Sequence, residues 1–359
     1  MKDIFLIVDG NSLMHRAFHA LPVMDNGEGV YTNALHGFLN MLLKVIREED
    51  VRYLAVCFDE HGPTFRHTVY PDYKAGRSAT PPELRQQLET VRGLLTDMGV
   101  RWYALQGWEA DDLLGTLSLK GVAAGVTPLL LTGDRDALQL VGGGVEMMFT
   151  RKGISETIRF TPAAVYEEYG FSPEQVTDWK GLAGDSSDNI PGIPGVGDKT
   201  AVKLLQQYGS LDSILAHASE VKGKLGEKLA ANADLARQCR MLATIRRDAP
   251  VPFTLGDVAL PDMTQGLPAL KKLKLNAFIR RLTGESSPAK TAGEESADAP
   301  LTPLPFAEMA AAESIEALTA WLNAVPDKAR PLAFYASDSS LSLSGQDGRC
   351  IAVTLGGDL

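Results

Sequence analysis

The 359-residue chain contains only three cysteines, Cys57, Cys239 and Cys350, which lie far apart and form no Cys-x-x-Cys pair. This scarcity excludes a disulfide framework and a zinc site built on cysteine, and it fits a reducing cytoplasm. No apolar run approaches the roughly 20 residues that a membrane-spanning helix needs. The run Ile4–Val8 is too short for a signal peptide. We therefore expect a cytoplasmic protein without a membrane partner.

Basic residues are outnumbered, with 35 against 45 acidic residues and a net charge of −10. The excess is uneven, because the chain from residue 285 onward holds 11 acidic and only 4 basic residues. Nine of the other acids belong to motifs that we assign below to one cluster. Without them, residues 1–284 are slightly basic, so the acidic balance does not exclude a phosphate-rich partner.

Short apolar runs alternate with helical patterns through the first 160 residues. The predicted strands are Ile4–Val8, Leu54–Phe58, Leu129–Thr132 and, more weakly, Trp102–Leu105. The predicted helices are Ala34–Glu48, Pro82–Met98 and Asp111–Ala124. Continuous apolar runs of strand length are typical of strands buried on both faces of a parallel sheet. The alternation predicts an α/β fold, with a mostly parallel central sheet flanked by helices over residues 1–160.

Residues 161–284 have mostly helical apolar spacing, as in Lys199–Gln207 and Leu235–Ile245. Residues 285–305 are rich in Ser, Ala, Pro, Gly and Glu and lack an apolar period, which predicts a flexible linker. Beyond it we predict a helix and three short strands, at Ile315–Leu322, Leu332–Phe334, Ser340–Leu343 and Ile351–Leu355. Residues 306–359 are too few for a complete α/β core, so we expect the truncated start of a further domain.

Acidic residues directly follow three of the predicted strands. Asp9 follows the first, Asp59 the second, and Asp134 with Asp136 the third. In open parallel sheets ligands bind at the carboxyl ends of the strands, so these side chains should meet at one edge. The alternative is that each acid caps a helix. Capping alone is a poor explanation for acids at three strand ends.

Two further acidic clusters join them. Glu109, Asp111 and Asp112 open one predicted helix, and Asp185 and Asp188 stand three apart in a loop. For the first cluster, acid enrichment at a positive helix N-terminus is the alternative explanation. The motifs contain little Lys or Arg, so nine converging carboxylates require divalent cations to offset their repulsion.

All-oxygen ligands favour Mg²⁺ or Mn²⁺ over zinc. Two such ions about 4 Å apart are a known arrangement for phosphodiester hydrolysis. The acids therefore predict a metal-dependent reaction at a phosphodiester.

A glycine-rich turn follows Asp188. Its pattern of small residues is typical of a helix–hairpin–helix element whose backbone amides bind phosphate without distinguishing bases. The candidate residues are Gly192, Gly195, Gly197, Lys199 and Thr200. The alternative is a plain Gly/Pro loop between helices.

A second candidate contact for nucleic acid lies at about residues 61–92, next to Asp59. This stretch combines Arg66, Lys74 and Arg77 with aromatic residues that include Tyr73. Interleaved cations and rings suit a single strand, because the charges hold phosphates while the rings stack on bases. A solvated surface loop is the alternative.

Six ordered motifs carry a family resemblance: LIVDGNSLMHRAFHA, AVCFDEHGPTFRH, YKAGR, EADDLLGTL, LTGDRDALQLV and GDSSDNIPGIPGVGDKTA. They resemble the 5′→3′ exonuclease (flap endonuclease) domain of bacterial DNA polymerase I, over residues 1–284. The resemblance implies a PIN-like flap-nuclease fold with a helical C-terminal part. It also implies a structure-specific nuclease, monomeric, that removes 5′ flaps and RNA primers in DNA replication and repair. Its partners would be DNA with a 5′ flap or a single-strand/duplex junction and RNA primer–DNA hybrids.

The resemblance also implies residue roles and two or three divalent ions. Ligands of the first metal would be Asp9, Asp59, Glu109 and Asp111, with Asp112 nearby. Ligands of the second would be Asp134, Asp136, Asp185 and Asp188, with Asp111 between the two. Lys74 and Arg77 would hold the scissile phosphate, Tyr73 would guide the 5′ strand, and Arg66 would add a phosphate contact. The Gly192–Thr200 turn would grip the duplex with a K⁺ ion. The stretch Glu60–Pro63 differs from the expected lysine-containing version.

The segment beginning at Leu332 resembles the opening strand of a proofreading exonuclease domain. Active versions carry Asp-x-Glu there, whereas this chain has Tyr335 and Ser337, so we expect no proofreading. Two alternatives to a DNA flap nuclease stay open. One is a non-catalytic junction-binding module, and the other is a related nuclease that acts mainly on RNA.

Overall fold

The computed structural model describes residues 3–152 and 156–284, and the backbone of four strands between residues 308 and 354. The chain divides into two compact units, Met1–Ser286 and Ser287–Leu359. Among the described residues, no helix has both the length and the apolar character that crossing a membrane would require.

A six-stranded sheet lies at the centre of the first unit. Its strands are β1 (Ile4–Asp9), β2 (Val51–Cys57), β3 (Arg101–Tyr103), β4 (Thr127–Thr132), β5 (Glu146–Lys152) and β6 (Glu156–Phe160). The strand order is β3-β2-β1-β4-β5-β6. The first five strands are parallel, and β6 pairs antiparallel with β5 at the edge. The mostly parallel α/β sheet that the sequence predicts is therefore confirmed.

Helices precede, connect and follow these strands. Those of the sheet region are α1 (Gly10–Ala20), α2 (Asn33–Glu48), α3 (Phe65–Val69), α4 (Pro82–Asp97), α5 (Ala110–Ala123) and α6 (Pro162–Tyr169). The later ones are α7 (Val176–Ala183), α8 (Asp198–Tyr208), α9 (Leu211–Ala216), α10 (Lys224–Ala231), α11 (Ala233–Ala243), α12 (Leu267–Lys272) and α13 (Asn276–Thr283). Short 3-10 helices include Arg135–Leu140, directly after β4.

Alternate residues of the central strand β1 enter opposite layers of the core. Leu6 and Val8 pack in one apolar cluster, whereas Phe5 and Ile7 pack in the other. All four side chains are fully buried, and burial of such a side chain contributes about 1.5–3 kcal/mol. The period of two in a strand divides these neighbours between the two faces. A sheet covered on both faces leaves its strand ends as the natural place for a ligand.

A third apolar cluster holds the helical part together, with residues from α7 to α11 around Leu204 and Leu211. A long turn joins α7 to α8, and two glycines meet within it. A Cβ atom on Gly192 would lie 2.3 Å from the amide nitrogen of Gly184, so neither position has room for a side chain. Gly192 also has a φ of 64°, which favours glycine.

Element boundaries differ from the sequence prediction by a few residues, and several elements were missed, including two that build or cover the central sheet. The antiparallel β5–β6 pair was not predicted, because its residues mix Met, Thr, Arg and Glu without a clear period. Helix α1 was also missed, because its Gly, Asn and Ser residues resemble a loop. It begins immediately after Asp9 and covers one face of the sheet.

The second unit contains a four-stranded sheet with the order β7-β10-β9-β8. Its strands are β7 (Glu308–Ala312), β8 (Ala333–Ala336), β9 (Ser340–Ser344) and β10 (Arg349–Thr354). Three of these strands match predicted ones, and β7 was not predicted. The predicted linker 285–305, the helix Ile315–Leu322 and Ser337 lie outside the described residues.

Candidate active-site cleft

The carboxyl ends of the parallel strands open into a cleft of about 710 Å³. Six of the predicted acids line it: Asp9, Asp59, Glu109, Asp111, Asp134 and Asp188. They come from the ends of β1, β2 and β4, from the start of α5 and from the turn after α7. The fold thus brings together side chains that are spread over 180 positions of the sequence.

Two hydrogen bonds hold the carboxylate of Asp9 in the cleft. Its Oδ1 accepts a hydrogen bond from the Ser12 amide at 2.9 Å, so it caps α1, and its Oδ2 accepts from the Thr132 hydroxyl at 2.8 Å. Burial raises the pKa of Asp9 to about 7. The charges of Asp59 and Asp134 act in the same direction, and the two hydrogen bonds act against it. Helix capping and a place in the cleft are therefore compatible roles.

Asp111 carries the strongest indication of a cation-binding position. Its Oδ1 is buried and has no hydrogen-bond partner among the described residues. Burial, followed by the charges of Asp134 and Asp9, raises its pKa well above the usual range. A buried polar atom without a partner costs about 1–3 kcal/mol, and more when the group is charged. A bound cation would remove this cost.

An adjoining pocket holds two more of the predicted ligands, Asp136 and Asp185, and shares Asp134 with the cleft. Lys180 on α7 lies between them and donates a hydrogen bond to each carboxylate. Burial and Asp134 raise the pKa of Asp136 to about 7, although Lys180 acts in the opposite direction. Burial would also raise the pKa of Asp185, but Lys180 and Ser187 outweigh it and hold that pKa at about 2.

The two carboxylates of this pocket differ because desolvation and the neighbouring charge of Asp134 both raise the pKa of Asp136. Asp185 accepts two additional hydrogen bonds, from the amide and the hydroxyl of Ser187. The expectation that little basic charge offsets the acids was therefore wrong. Lys180 supplies an internal cation from a neighbouring helix.

Lys74 and Arg77 stand at the mouth of the cleft, in the turn between α3 and α4. The Lys74 ammonium is 2.8 Å from Oε2 of Glu109, and Arg77 pairs with Asp188. Lys74 has a φ of 59° and its amide donates to the Asp188 carbonyl, so the turn is tied to the segment before α8. Both side chains line the cleft together with the acids.

Tyr73 does not face the cleft with its ring, contrary to prediction. The side chain is 3% exposed and packs with Ile190 and Cys239. Its hydroxyl is 2.8 Å from Oδ2 of Asp188 and 3.2 Å from Oε2 of Glu109. A buried ring cannot stack on a DNA base, so the structure contradicts the guiding role.

Asp112 and Arg66 are also placed differently from prediction. Both are buried, at 0% and 2% exposure, and form a two-point ion pair with distances of 2.8 and 2.9 Å. Asp112 therefore does not line the cleft with Asp111, and Arg66 cannot reach a phosphate. Adjacent residues of a helix point about 100° apart, so one acid faces the cleft and its neighbour the interior.

The glycine turn before α8 is only partly as predicted. Gly192 is buried and its backbone lies against Gly184, which excludes it as a phosphate contact. Gly195 and Gly197 are exposed, and Gly197 is the N-cap residue of α8 without a side-chain cap. Lys199 is exposed and Thr200 half-buried at the start of α8. The candidate phosphate contact thus narrows to Gly195–Thr200.

Three basic residues of the site were missed in the sequence. Lys180 joins Asp136 to Asp185, and Arg16 on α1 lines both pockets. Arg92 on α4 donates to the carbonyl of Asp59 at 2.6 Å. Their partners are distant in sequence, except Asp185, which lies one helical turn beyond Lys180. That spacing was the only available signal.

The donor set fits hard divalent cations, because carboxylate oxygens dominate the cleft and no cysteine lines it. Within the described parts of the chain, no three acidic, His or Cys side chains stand in a formed metal geometry. Instead, several of the acids form ion pairs with Lys74, Arg77 and Lys180. The orphaned oxygen of Asp111 is the observation that most favours a cation.

Comparisons with known proteins identify the family. A model described as "5′-3′ exonuclease, N-terminal resolvase-like domain" matches residues 4–170, and one described as "5′-3′ exonuclease, C-terminal SAM fold" matches residues 171–265. DNA polymerase I of Bacillus caldotenax is 43% identical over 290 residues, or 80% of this chain. The chain spans about a third of that relative, because the match covers 33% of it.

Solved structures show the same fold. A T5 5′-exonuclease with bound divalent metal ions (zinc) has a TM-score of 0.56 at 20% identity and covers 78% of this chain and 98% of its own. A complex of the bacteriophage T5 flap endonuclease with DNA and metal ions has a TM-score of 0.55 at 20% identity, with coverages of 78% and 98%. The predicted flap-nuclease fold is confirmed. From its two matched models and its strand-end acids, the chain belongs to the 5′-3′ exonuclease family.

Proposed function

We propose that this chain hydrolyses phosphodiesters near the 5′ end of DNA, at 5′ flaps and single-strand/duplex junctions. One observation carries the proposal. The orphaned Oδ1 of Asp111 lies in a cleft with five more acids, and two cations, Lys74 and Arg77, stand at its mouth. The polymerase I relatives and the DNA complex of the T5 flap endonuclease support a DNA substrate.

The oxygens of Asp9, Asp59, Glu109, Asp111 and Asp134 would hold the first of two or three Mg²⁺ or Mn²⁺ ions. Asp136, Asp185 and Asp188, with Asp134, would hold the second. Such ions activate water and offset the charge that develops on a phosphate. The metal ions in the T5 neighbours support this assignment.

The chain's own residues supply orientation and charge. Lys74 and Arg77 bind the phosphate next to the cleft and stabilise the negative charge that grows on its oxygens. In the ground state they pair with Glu109 and Asp188, so they are available only once those acids have another partner. Asp59 keeps its place through its bonds to Arg92 and to the Ala110 amide at 2.8 Å.

The exposed end of the turn before α8 would bind the duplex backbone, without distinguishing bases, through the amides of Gly195–Thr200. We extend the proposal to a K⁺ ion at this turn, RNA primer–DNA hybrids as further substrates, a monomer and a bacterial cytoplasm near the nucleoid. These extensions rest on the family resemblance and the bacterial relatives.

A 5′-labelled flap incubated with Mg²⁺ or with EDTA tests the proposal. The parent protein should cut near the junction only with Mg²⁺. Asp134→Asn should lower the rate by on the order of 10³-fold, because it removes about 4 kcal/mol of charge stabilisation. Asp97→Asn, an exposed acid on α4, is the matched control and should cut like the parent. Cleavage by Asp134→Asn at the parent rate would refute the site.

The same assay separates the two alternatives. A band shift without product in either condition would indicate a junction-binding module. Faster cleavage of an all-RNA flap than of a DNA flap would indicate a nuclease that acts mainly on RNA.

A further inference from the structure

We infer that Arg66 and Asp112 are positioning residues that align Glu109 in the cleft and couple it to the end of α11, and that neither binds metal or DNA. The inference rests on the proposed function for the role of Glu109 as a metal ligand. It begins from the saturation of the Asp112 carboxylate. Oδ1 accepts from Arg66 at 2.8 Å and from the Arg246 amide at 2.9 Å. Oδ2 accepts from Arg66 at 2.9 Å and from the Glu109 amide at 3.2 Å.

Four accepted hydrogen bonds fill the lone-pair positions of a carboxylate. Asp112 is also fully buried, whereas Asp111 beside it has an oxygen without a partner. The acid that lacks a partner is suited to bind a cation. The saturated acid has no free lone pair with which to bind one. Both were predicted ligands, and the geometry separates them.

Arg66 extends the network to the helical part of the chain. Its Nε donates to the Leu242 carbonyl at 2.9 Å, and a terminal nitrogen donates to the Thr244 carbonyl at 2.9 Å. Leu242 lies near the end of α11, and Thr244 directly follows that helix. The guanidinium thus joins α3, the start of α5 and the end of α11 at one buried point.

Glu109 is the cleft residue that this network controls. Its amide bonds to Asp112 and its side chain accepts from the backbone of residue 112, which completes a reciprocal cap at the start of α5. Its Oε2 also lies 3.5 Å from Arg66 and 2.8 Å from Lys74. The backbone and the carboxylate of Glu109 therefore both depend on the buried pair. Groups that orient a metal ligand in this way typically change metal affinity 10- to 100-fold when they are lost.

The test measures Mn²⁺ binding by electron paramagnetic resonance, and flap affinity in EDTA, on the full chain. Two variants are compared with the parent. Arg66→Met with Asp112→Asn removes both charges together, so no buried charge is left without a partner. Arg66→Lys keeps the charge but loses the two-point geometry. The control, Arg240→Met with Asp178→Asn, removes a partly exposed ion pair at 3.1 Å that joins α11 to α7.

If Arg66 and Asp112 are positioning residues, Mn²⁺ binding should weaken 10- to 100-fold in the double variant and to a smaller extent in Arg66→Lys. Flap affinity in EDTA should stay within twofold, and the control should keep the parent's Mn²⁺ affinity. Unchanged or tighter Mn²⁺ binding in Arg66→Lys would overturn the inference, because a freed Asp112 would then act as a ligand. A tenfold loss of flap affinity in EDTA would also overturn it, since Arg66 would then contact phosphate.

Arg66→Lys keeps the inference open to refutation if the double variant does not fold. Metal binding is measured without cleavage, so the two proposals can fail separately. A protein that binds Mn²⁺ with the expected losses but cuts no flap would retain the positioning role and lose the nuclease function.

Discussion

Asp111 in the cleft and Asp185 in the adjoining pocket have opposite surroundings. In the cleft, Asp111 has an oxygen without a partner and Asp9 has a raised pKa. In the pocket, Lys180 bonds to both Asp136 and Asp185, and the pKa of Asp185 is held at about 2. An acid without an internal partner requires an external cation, whereas a paired acid must give up its lysine before it can bind one. The comparison separates acids that can bind a metal ion directly from acids that must first lose their ion pair with a lysine.

The largest expected effect is on cleavage, and it should differ between the two regions. Asp111→Asn should lower the rate at saturating Mg²⁺ by on the order of 10³-fold, as for other losses of about 4 kcal/mol of charge stabilisation. Asp185→Asn should lower it by only about tenfold, because Lys180 already offsets the charge of Asp185. Single-turnover cleavage of a labelled flap measures both. Equal losses would show that pairing with Lys180 does not distinguish the regions.

Stability without metal should respond to the lysine of the pocket. Lys180→Met leaves Asp136 and Asp185 without a cation, at 19% and 14% side-chain exposure. We expect a loss of about 2–3 kcal/mol, below the 3–5 kcal/mol of a fully buried pair because of this exposure. Thermal melts in EDTA should show a Tm lowered by about 5–10 °C.

Added Mg²⁺ should restore part of that loss, since a cation then replaces the ammonium. Lys203→Met, on the exposed side of α8, is the matched control and should melt like the parent. A Tm for Lys180→Met that stays low at every Mg²⁺ concentration would mean that the pocket binds no cation.

Asp9 in the cleft and Asp185 in the pocket should also give opposite pH dependences in EDTA. The folded-state pKa of Asp9 is raised to about 7, so its contribution to stability is present below pH 4 and is lost as pH rises toward 7. The pKa of Asp185 is lowered to about 2, so its contribution is present above pH 4 and is lost as pH falls toward 2. The Tm of Asp9→Asn, taken relative to that of the parent, should therefore be higher at pH 7 than at pH 4 by on the order of 10 °C.

Asp185→Asn should make Tm less sensitive to pH between 4 and 2. Melts across this range, with Asp97→Asn as a control, measure both slopes. The same sign for the two variants would contradict the distinction between an acid whose pKa is raised by burial and an acid whose pKa is lowered by a lysine.

Much of this arrangement followed from the sequence, because continuous apolar runs mark buried parallel strands. Those runs located β1, β2 and β4, and the acids behind them located the cleft. The antiparallel β5–β6 pair escaped because an edge hairpin of mixed residues has no apolar run. Local pattern thus predicts the buried centre of a sheet better than its edge.

The partners within the site could not be predicted in the same way. Asp111 and Asp112 are adjacent in sequence, and only the phase of α5 against the sheet and α11 decides which one faces the cleft. Lys180 lies 44 residues from Asp136, and only the packing of α7 brings them together. Residue type predicted the chemistry of the acids, but tertiary packing decided which of them are neutralised.

The smallest expected effect concerns Tyr73, whose hydroxyl contacts two acids of the cleft, Asp188 and Glu109. Tyr73→Phe keeps the buried ring and loses the hydroxyl bonds to Asp188 and Glu109. It should lower the free energy of unfolding by about 1 kcal/mol and leave flap affinity in EDTA within twofold. Tyr70→Phe, a nearby half-buried tyrosine, should change neither quantity. If the ring instead guided the 5′ strand, Tyr73→Leu would lose flap affinity in EDTA while Tyr73→Phe kept it. Because the ring is buried, we expect Tyr73→Leu to reduce stability and cleavage and to leave that affinity unchanged.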